Sequence, residues 1–367
     1  MKRKNIFSLL AAVTLVISSC TKILDLEPAQ SISNDVALNS DESVKQVLIG
    51  AYDAFSSQAL YGGNVFRNSV LYAGEGEVVW LGTYVGPKEI FLRDMLVTND
   101  DAYSLWVDAY FCINICNNVL AALPVVNEAD RNRIEGEAKF LRACVYFELT
   151  RYFGQQYEEG TSNTQPAVPL ITKATETLAD NATVARNTVE ECYAQIISDL
   201  TEAESLLPED NDVYANSGAA AAILSRVYLQ KYDYANARDA ADRVISSGNY
   251  NLMANDSDVF AQDENTNEDI FAIQNSPQDG TNSINTFFST AKYGGRGDIQ
   301  IEQSFYDLFD PADTRRVWYY KLSSKWRCGK FNNQNGNLAV VRLAEMYLAR
   351  AECNERLGTS VGATPAD

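Results

Sequence analysis

EAKFLRACVYFELTRYFG, residues 137–154, is the stretch that decides the fold. Ala138, Leu141, Val145, Leu149 and Tyr152 fall on one helical stripe, and Phe140, Cys144 and Phe147 widen it. A stripe that wide implies burial against several neighbours, so the helix predicted from about Glu128 to Phe153 sits among other helices. Gly154 ends it. A Gly/Ser/Asn/Gln-rich loop over 155–167 then leads to the apolar Val168-Pro169-Leu170-Ile171.

The same periodicity recurs on both sides. Upstream, Val44, Val47, Leu48, Ala51 and Phe55 follow Ser40 and Asp41, which can cap a first turn. Leu105, Ala109, Cys112, Cys116, Val119 and Leu123 mark a second helix, stopped by Pro124. Downstream, Thr188 with Glu191 is a capping-box pattern ahead of Cys192, Ile196, Leu200, Ala203 and Leu207. Residues 218–248 read as helix, turn, helix, and Tyr228, Tyr234 and Ala237 have the spacing at which a tetratricopeptide unit interlocks its two arms. Leu343 and Tyr347 repeat the separation of Leu224 and Tyr228. Between these units, residues 256–336 are rich in Asn, Gly and aromatics, with a short strand expected over 269–274 and a twisted hairpin over 317–331. The expected fold is therefore mainly α, a tetratricopeptide-like helix-turn-helix scaffold with irregular loop and short-strand insertions.

The 367 residues are 46% hydrophobic and 22% charged, with a net charge of −19, enough apolar content for a sizeable core and the wrong sign for binding phosphate backbones. Histidine is absent. That removes Ser-His-Asp and Cys-His nucleophile activation, His-ligated zinc and imidazole base chemistry together, leaving carboxylates as the only acid–base groups for catalysis. The cysteines beyond Cys20 sit mostly in apolar helical patterns and read as core thiols. Cys112 and Cys116 share a helix face, where disulfide geometry is poor and a metal would want further ligands.

Residues 1–19 read as an export leader. Lys2, Arg3 and Lys4 precede an apolar run over 6–17, too short to span a bilayer, and Ile17-Ser18-Ser19-Cys20 resembles a lipobox, which makes Cys20 the expected lipidated N-terminus. Ordinary secretion with a chance cysteine is the alternative. Residues 20–39 then form anchor and tether, and 40–367 one helical domain with insertions at about 60–100 and 255–335.

With these residues in view, the quoted helix is similar to the most recognisable helix of the SusD/RagB family of outer-membrane nutrient-binding lipoproteins. Leu24-Asp25-Leu26-Glu27-Pro28, Trp106-Val107-Asp108-Ala109-Tyr110 with Asn117, Val168-Pro169-Leu170, Tyr193 through Leu207, the Tyr228/Ala237 pair, Phe271 to Gln274 and the Arg342 to Glu352 segment each resemble a family landmark, in the family's order. The resemblance implies a non-enzymatic lipoprotein that captures oligosaccharide or peptide and caps a SusC-like TonB-dependent transporter, without any cofactor. Two departures stand out. Thr21 and Lys22 follow the lipobox cysteine where surface-exported relatives often have acids, and Thr364-Pro365-Ala366-Asp367 has the chemistry of a helix start, which points to a chain that continues.

An oligosaccharide site needs flat aromatic faces and polar groups outside the helical stripes. This points to Glu77, Trp80 and Tyr84 in the first insertion, and to Tyr293, Arg296, Trp318, Tyr320 and Trp326 in the second. For Trp80 the competing reading is a core plug with Val78, Val79 and Leu81; Trp106, on a helix, is expected in the core. Glu75, Glu77, Asp307 and Asp310 keep a carboxylate glycosidase open as a rival, alongside a helical scaffold that binds only protein.

Overall fold

A computed structural model describes residues 38–175 and 183–364. Cys20, the tether, the Leu24 to Pro28 landmark and Pro365 to Asp367 lie outside the described residues. Among those described there are eleven α-helices: α1 (Asp41–Phe55), α2 (Asn64–Ala73), α3 (Val85–Leu92), α4 (Asp100–Ala121), α5 (Glu128–Phe153), α6 (Val189–Leu206), α7 (Ser217–Gln230), α8 (Tyr234–Ser247), α9 (Ser283–Phe288), α10 (Gln303–Tyr306) and α11 (Leu343–Leu357). The mainly α architecture expected above is the one observed. None of these helices is long and apolar enough to cross a membrane.

The scaffold is a run of neighbours in which α4 packs on α5, α5 on α6, α6 on α7, α7 on α8 and α8 on α11, with α1 closing against α4 and α5. Helix α5 occupies the centre. From Phe140 to Thr150 every residue is buried, as the wide stripe requires. Local chemistry sets the ends. Ser40 caps α1 and Thr188 caps α6, each in a reciprocal capping box, which satisfies amides that no intrahelical carbonyl can reach. In the α7/α8 pair, the Ser225 hydroxyl donates to the Ala237 carbonyl at 2.9 Å, fixing the two arms at their closest approach.

One buried polar group ties the centre together. Arg142 grips Asp199 of α6 through Nε (2.8 Å) and Nη2 (2.7 Å), and its Nη1 donates to Asn117 of α4 at 2.8 Å. Asn117 in turn donates to the carbonyls of Ile171 and Lys173, while the Tyr110 and Tyr146 hydroxyls donate to Pro169 and Ile171. These bonds hold the apolar segment at 168–171, which has little regular structure of its own, flat against α4 and α5. The six described cysteines are all free and buried, and Trp106 is half-buried against Tyr110 and Phe153.

The strands form two sheets. β2 (Asp269–Ile273) pairs antiparallel with β6 (Leu338–Arg342), which runs directly into α11. The second sheet joins parts of the chain that are far apart: β1 (Val78–Trp80), β3 (Ile299–Ile301), β5 (Lys325–Cys328) and β4 (Tyr319–Leu322), in that spatial order. The β4–β5 hairpin turns on Ser323 and Ser324, both at positive φ (49° and 66°), the backbone that a two-residue turn between right-twisted strands demands.

Candidate functional site

The four-stranded antiparallel sheet brings the two segments picked from the sequence into one structure. Val78 faces Ile301, Trp80 faces Ile299, Ile301 faces Trp326, and Tyr320 faces Arg327. Because partners in register share a face and neighbours along a strand alternate, Val78, Trp80, Ile299, Ile301, Trp326 and Cys328 lie on one side. Gln300, Tyr320 and Arg327 lie on the other.

The side chains divide accordingly. Trp80 is 7% exposed and belongs to the core, tilted against Phe287 at 5.8 Å, so its ring faces are covered; the plug reading describes its position, and the expectation of an open tryptophan platform does not. Its indole N–H has no hydrogen-bond partner. Gly82 explains the tightness: a Cβ there would stand 2.5 Å from Trp80 Cζ2 and 2.7 Å from Asp298 Cγ. Trp326 stacks on Tyr306 at 3.6 Å and donates to Gln303 at 2.7 Å, with Lys321 over its ring. Trp318 lies apart, edge-on to Phe260. Glu77 is exposed, and its backbone carbonyl accepts from the Glu302 amide at 2.8 Å.

Four of the sequence-derived residues meet in two pairs, joined through the loop that carries both Tyr293 and Arg296. Tyr84, 51% exposed, is covered on one face by the Arg296 guanidinium at 4.7 Å and touches Phe287 edge-on. Arg296 is bonded to Asp298 at 2.8 Å, and that bond holds its pKa above the usual value. The loop carrying Arg296 also carries Tyr293, which meets Tyr320 at 6.1 Å and lies under Lys292 at 4.8 Å. Arg327 stands opposite Tyr320 in the strand register and donates to the carbonyl of Gly297, next to Arg296 in the chain. It was missed in the sequence because a lone arginine in a hairpin gives no signal until β5 is registered against β4.

Larger clefts lie elsewhere. One of about 620 Å³ between α2, α3 and α5, lined by Tyr61, Phe66, Tyr72, Met95, Glu148 and Tyr152, contains none of the residues picked from the sequence. No group of three or more described His, Cys, Asp or Glu side chains is placed to hold a metal.

A family model described as "Starch-binding associating with outer membrane", of the SusD-like class, matches residues 22–229. SusD-like protein P38 from Formosa agariphila is 28% identical over 276 residues, covering 72% of this chain. The chain spans 50% of that relative's length. Among solved structures, a SusD superfamily protein from Bacteroides thetaiotaomicron superposes with a TM-score of 0.78 at 25% identity over 88% of this chain and 77% of its own. A laminarin-binding SusD-like protein has the same fold, with a TM-score of 0.72 at 24% identity over 86% of this chain and 80% of its own.

Proposed function

The chain belongs to the SusD-like family, and from that premise we propose that it is a cell-surface lipoprotein that captures oligosaccharides and delivers them, unaltered, to a SusC-like TonB-dependent transporter. Carbohydrate binding and association with the outer membrane are properties of the family. What supports the reading for this chain is a pair of ring contacts, Tyr84 under Arg296 and Tyr293 against Tyr320, beside a sheet built from both insertions. Aromatic faces take the apolar side of a sugar ring, each contact contributing about 0.5–1.5 kcal/mol beyond buried area. Two or three such contacts give micromolar to millimolar affinity, which suits a protein that must release its cargo. Trp80 and Trp326 lie on the opposite side of the sheet from Tyr320 and support it from beneath. Lipidation at Cys20 tethers the domain to the membrane.

Affinity electrophoresis and calorimetry of the purified chain against a panel of glycans and peptides test the proposal, with product analysis alongside. Binding of one glycan class, weakened by Tyr84→Ala and Tyr320→Ala together, is expected. Turnover of any glycan, or capture of peptides alone, overturns it. Co-purification with a SusC-like transporter, and loss of membrane attachment in Cys20→Ala, test the remaining parts.

A further inference from the structure

We infer that the oligosaccharide held on this sheet is anionic, bearing carboxylate or sulfate groups, and that Arg327 receives one of them. The inference rests on the glycan-binding reading above and narrows its ligand class.

The first observation is a local inversion of charge. The chain has 49 acidic residues against 30 basic ones. Yet residues 315–330, RRVWYYKLSSKWRCGK, hold Arg315, Arg316, Lys321, Lys325, Arg327 and Lys330 and no acid at all. Where carboxylates are in such excess, a basic side chain ordinarily finds one. Arg315 does so with Asp313. Lys321, Lys325, Arg327, Lys330 and the neighbouring Lys292 take part in no ion pair among the described residues.

The second observation is Arg327 itself. It is 8% exposed. Its Nη1 donates to the carbonyls of Gly297 and Ile299, both at 2.9 Å. Its Nε is buried without a partner, and Nη2 makes no hydrogen bond within the described residues. Nε and Nη2 form the edge of the guanidinium that grips a carboxylate or sulfate through two parallel N–H···O bonds. Burial lowers the pKa of this arginine, and among the described residues no carboxylate is bonded to it, so a desolvated charge is left without a paired counter-charge. Beside it, the Thr290 hydroxyl is also buried and unpartnered, at 4% exposure. Gly297 leaves room between them: a Cβ there would stand 3.6 Å from both Arg327 Nη1 and Thr290 Cγ2. The nearby acid, Asp298, is already engaged by Arg296.

The surroundings suit a charged sugar. Lys325, two residues before Arg327, projects from the same face of β5, and Tyr320 lies directly across the strand pair. Lys292 rests on Tyr293, which abuts Tyr320. Rings for the flat of a pyranose are thus edged by cations for its substituents.

Calorimetry with the full chain separates the possibilities, using oligogalacturonide as the carboxylate probe, a sulfated oligosaccharide, a neutral β-glucan oligosaccharide and poly-glutamate. An anionic glycan is expected to bind, the better of the first two probes distinguishing carboxylate from sulfate. Affinity should fall about tenfold between about 50 and 500 mM salt and about tenfold or more in Arg327→Met. The exposed pair Lys292→Ala and Lys325→Ala, which leaves the core untouched, should weaken binding severalfold and flatten the salt dependence even if Arg327→Met fails to fold. Preference for the neutral glucan, or binding indifferent to salt and to the lysine pair, overturns this inference and leaves the proposed function standing. Poly-glutamate binding as tightly as the sugars overturns the assignment to glycan. Failure of every glycan overturns both readings.

Discussion

Replacing Arg142 with methionine is the sharpest test of the packing described above. Met fills a similar volume, so the change removes charge more than bulk. It leaves Asp199, whose side chain is 3% exposed, without the two bonds at 2.8 and 2.7 Å that Arg142 supplies. Breaking a buried pair from one side costs about 3–5 kcal/mol, since the surviving charge stays desolvated. Asn117 loses its partner at 2.8 Å as well, which adds about 1 kcal/mol. Against a total stability of roughly 5–15 kcal/mol, Arg142→Met alone should bring the domain to the edge of unfolding. Converting Asp199 to leucine in the same chain removes the stranded carboxylate, and the double variant should regain most of the loss, because an apolar pair of similar volume does nearly as well as a buried ion pair. Urea denaturation of wild type, both single variants and the double variant completes the cycle. A loss below about 1 kcal/mol in Arg142→Met, or strict additivity in the cycle, would refute the claim that this pair is a coupled, desolvated unit.

Trp80 and Tyr84 should separate stability from binding: Trp80→Ala is expected to cost about 3–5 kcal/mol in a thermal or chemical melt, while Tyr84→Ala should stay within about 0.5 kcal/mol in stability and lose about two- to tenfold in glycan affinity. Gly82→Ala should destabilise by about 1–3 kcal/mol and weaken glycan binding as well, because the added methyl pushes on Trp80 and on the Asp298 that orients Arg296. The pH dependence also has a definite sign. Asp41 and Asp130 are held below the usual carboxylate range by Lys45, Glu202 by Lys139, and Asp313, down to about 2, by Arg315. Each contributes stability that is present above an unfolded pKa near 4 and lost as pH falls, so denaturation midpoints should drop between about pH 4 and pH 2. Asp101 and Glu137, raised by burial, act the other way and soften the upper part of that fall. A midpoint flat across the whole range would contradict these pairings.

The helical scaffold was legible because its signals are local. The stripe of α5 and the capping box at Thr188 and Glu191 each involve residues within a few turns, and the observed bounds of α5, Glu128–Phe153, match its stripe and the Gly154 that ends it. The hairpin at Tyr319 to Cys328 was legible for the same reason. Helices α2 and α3 were not. Gly62 and Gly63 precede α2, Pro87 sits inside α3, and both helices are too short for a periodic pattern to outweigh such breakers. The sequence also left Trp80 undecided, because Phe287, the ring that tilts against it, lies on α9 far along the chain. Arg327 carried no signal, since its significance lies in what it fails to pair with, and that is visible only in three dimensions.

The sheet that carries the proposed site also dictates when the site can exist. Thr83 and Arg296, bonded across its end, are 213 residues apart in sequence, and β1 has no strand partner among the described residues until β3 has been made. Loop closure over such a span is slow compared with docking of neighbouring helices. As the chain emerges, the scaffold from α4 to α8 can therefore be in place while Tyr84 still lacks Arg296 and Phe287, and the proposed site is completed only after the hairpin emerges. A chain interrupted before β3 would leave β1 without its strand partner and the proposed site unbuilt.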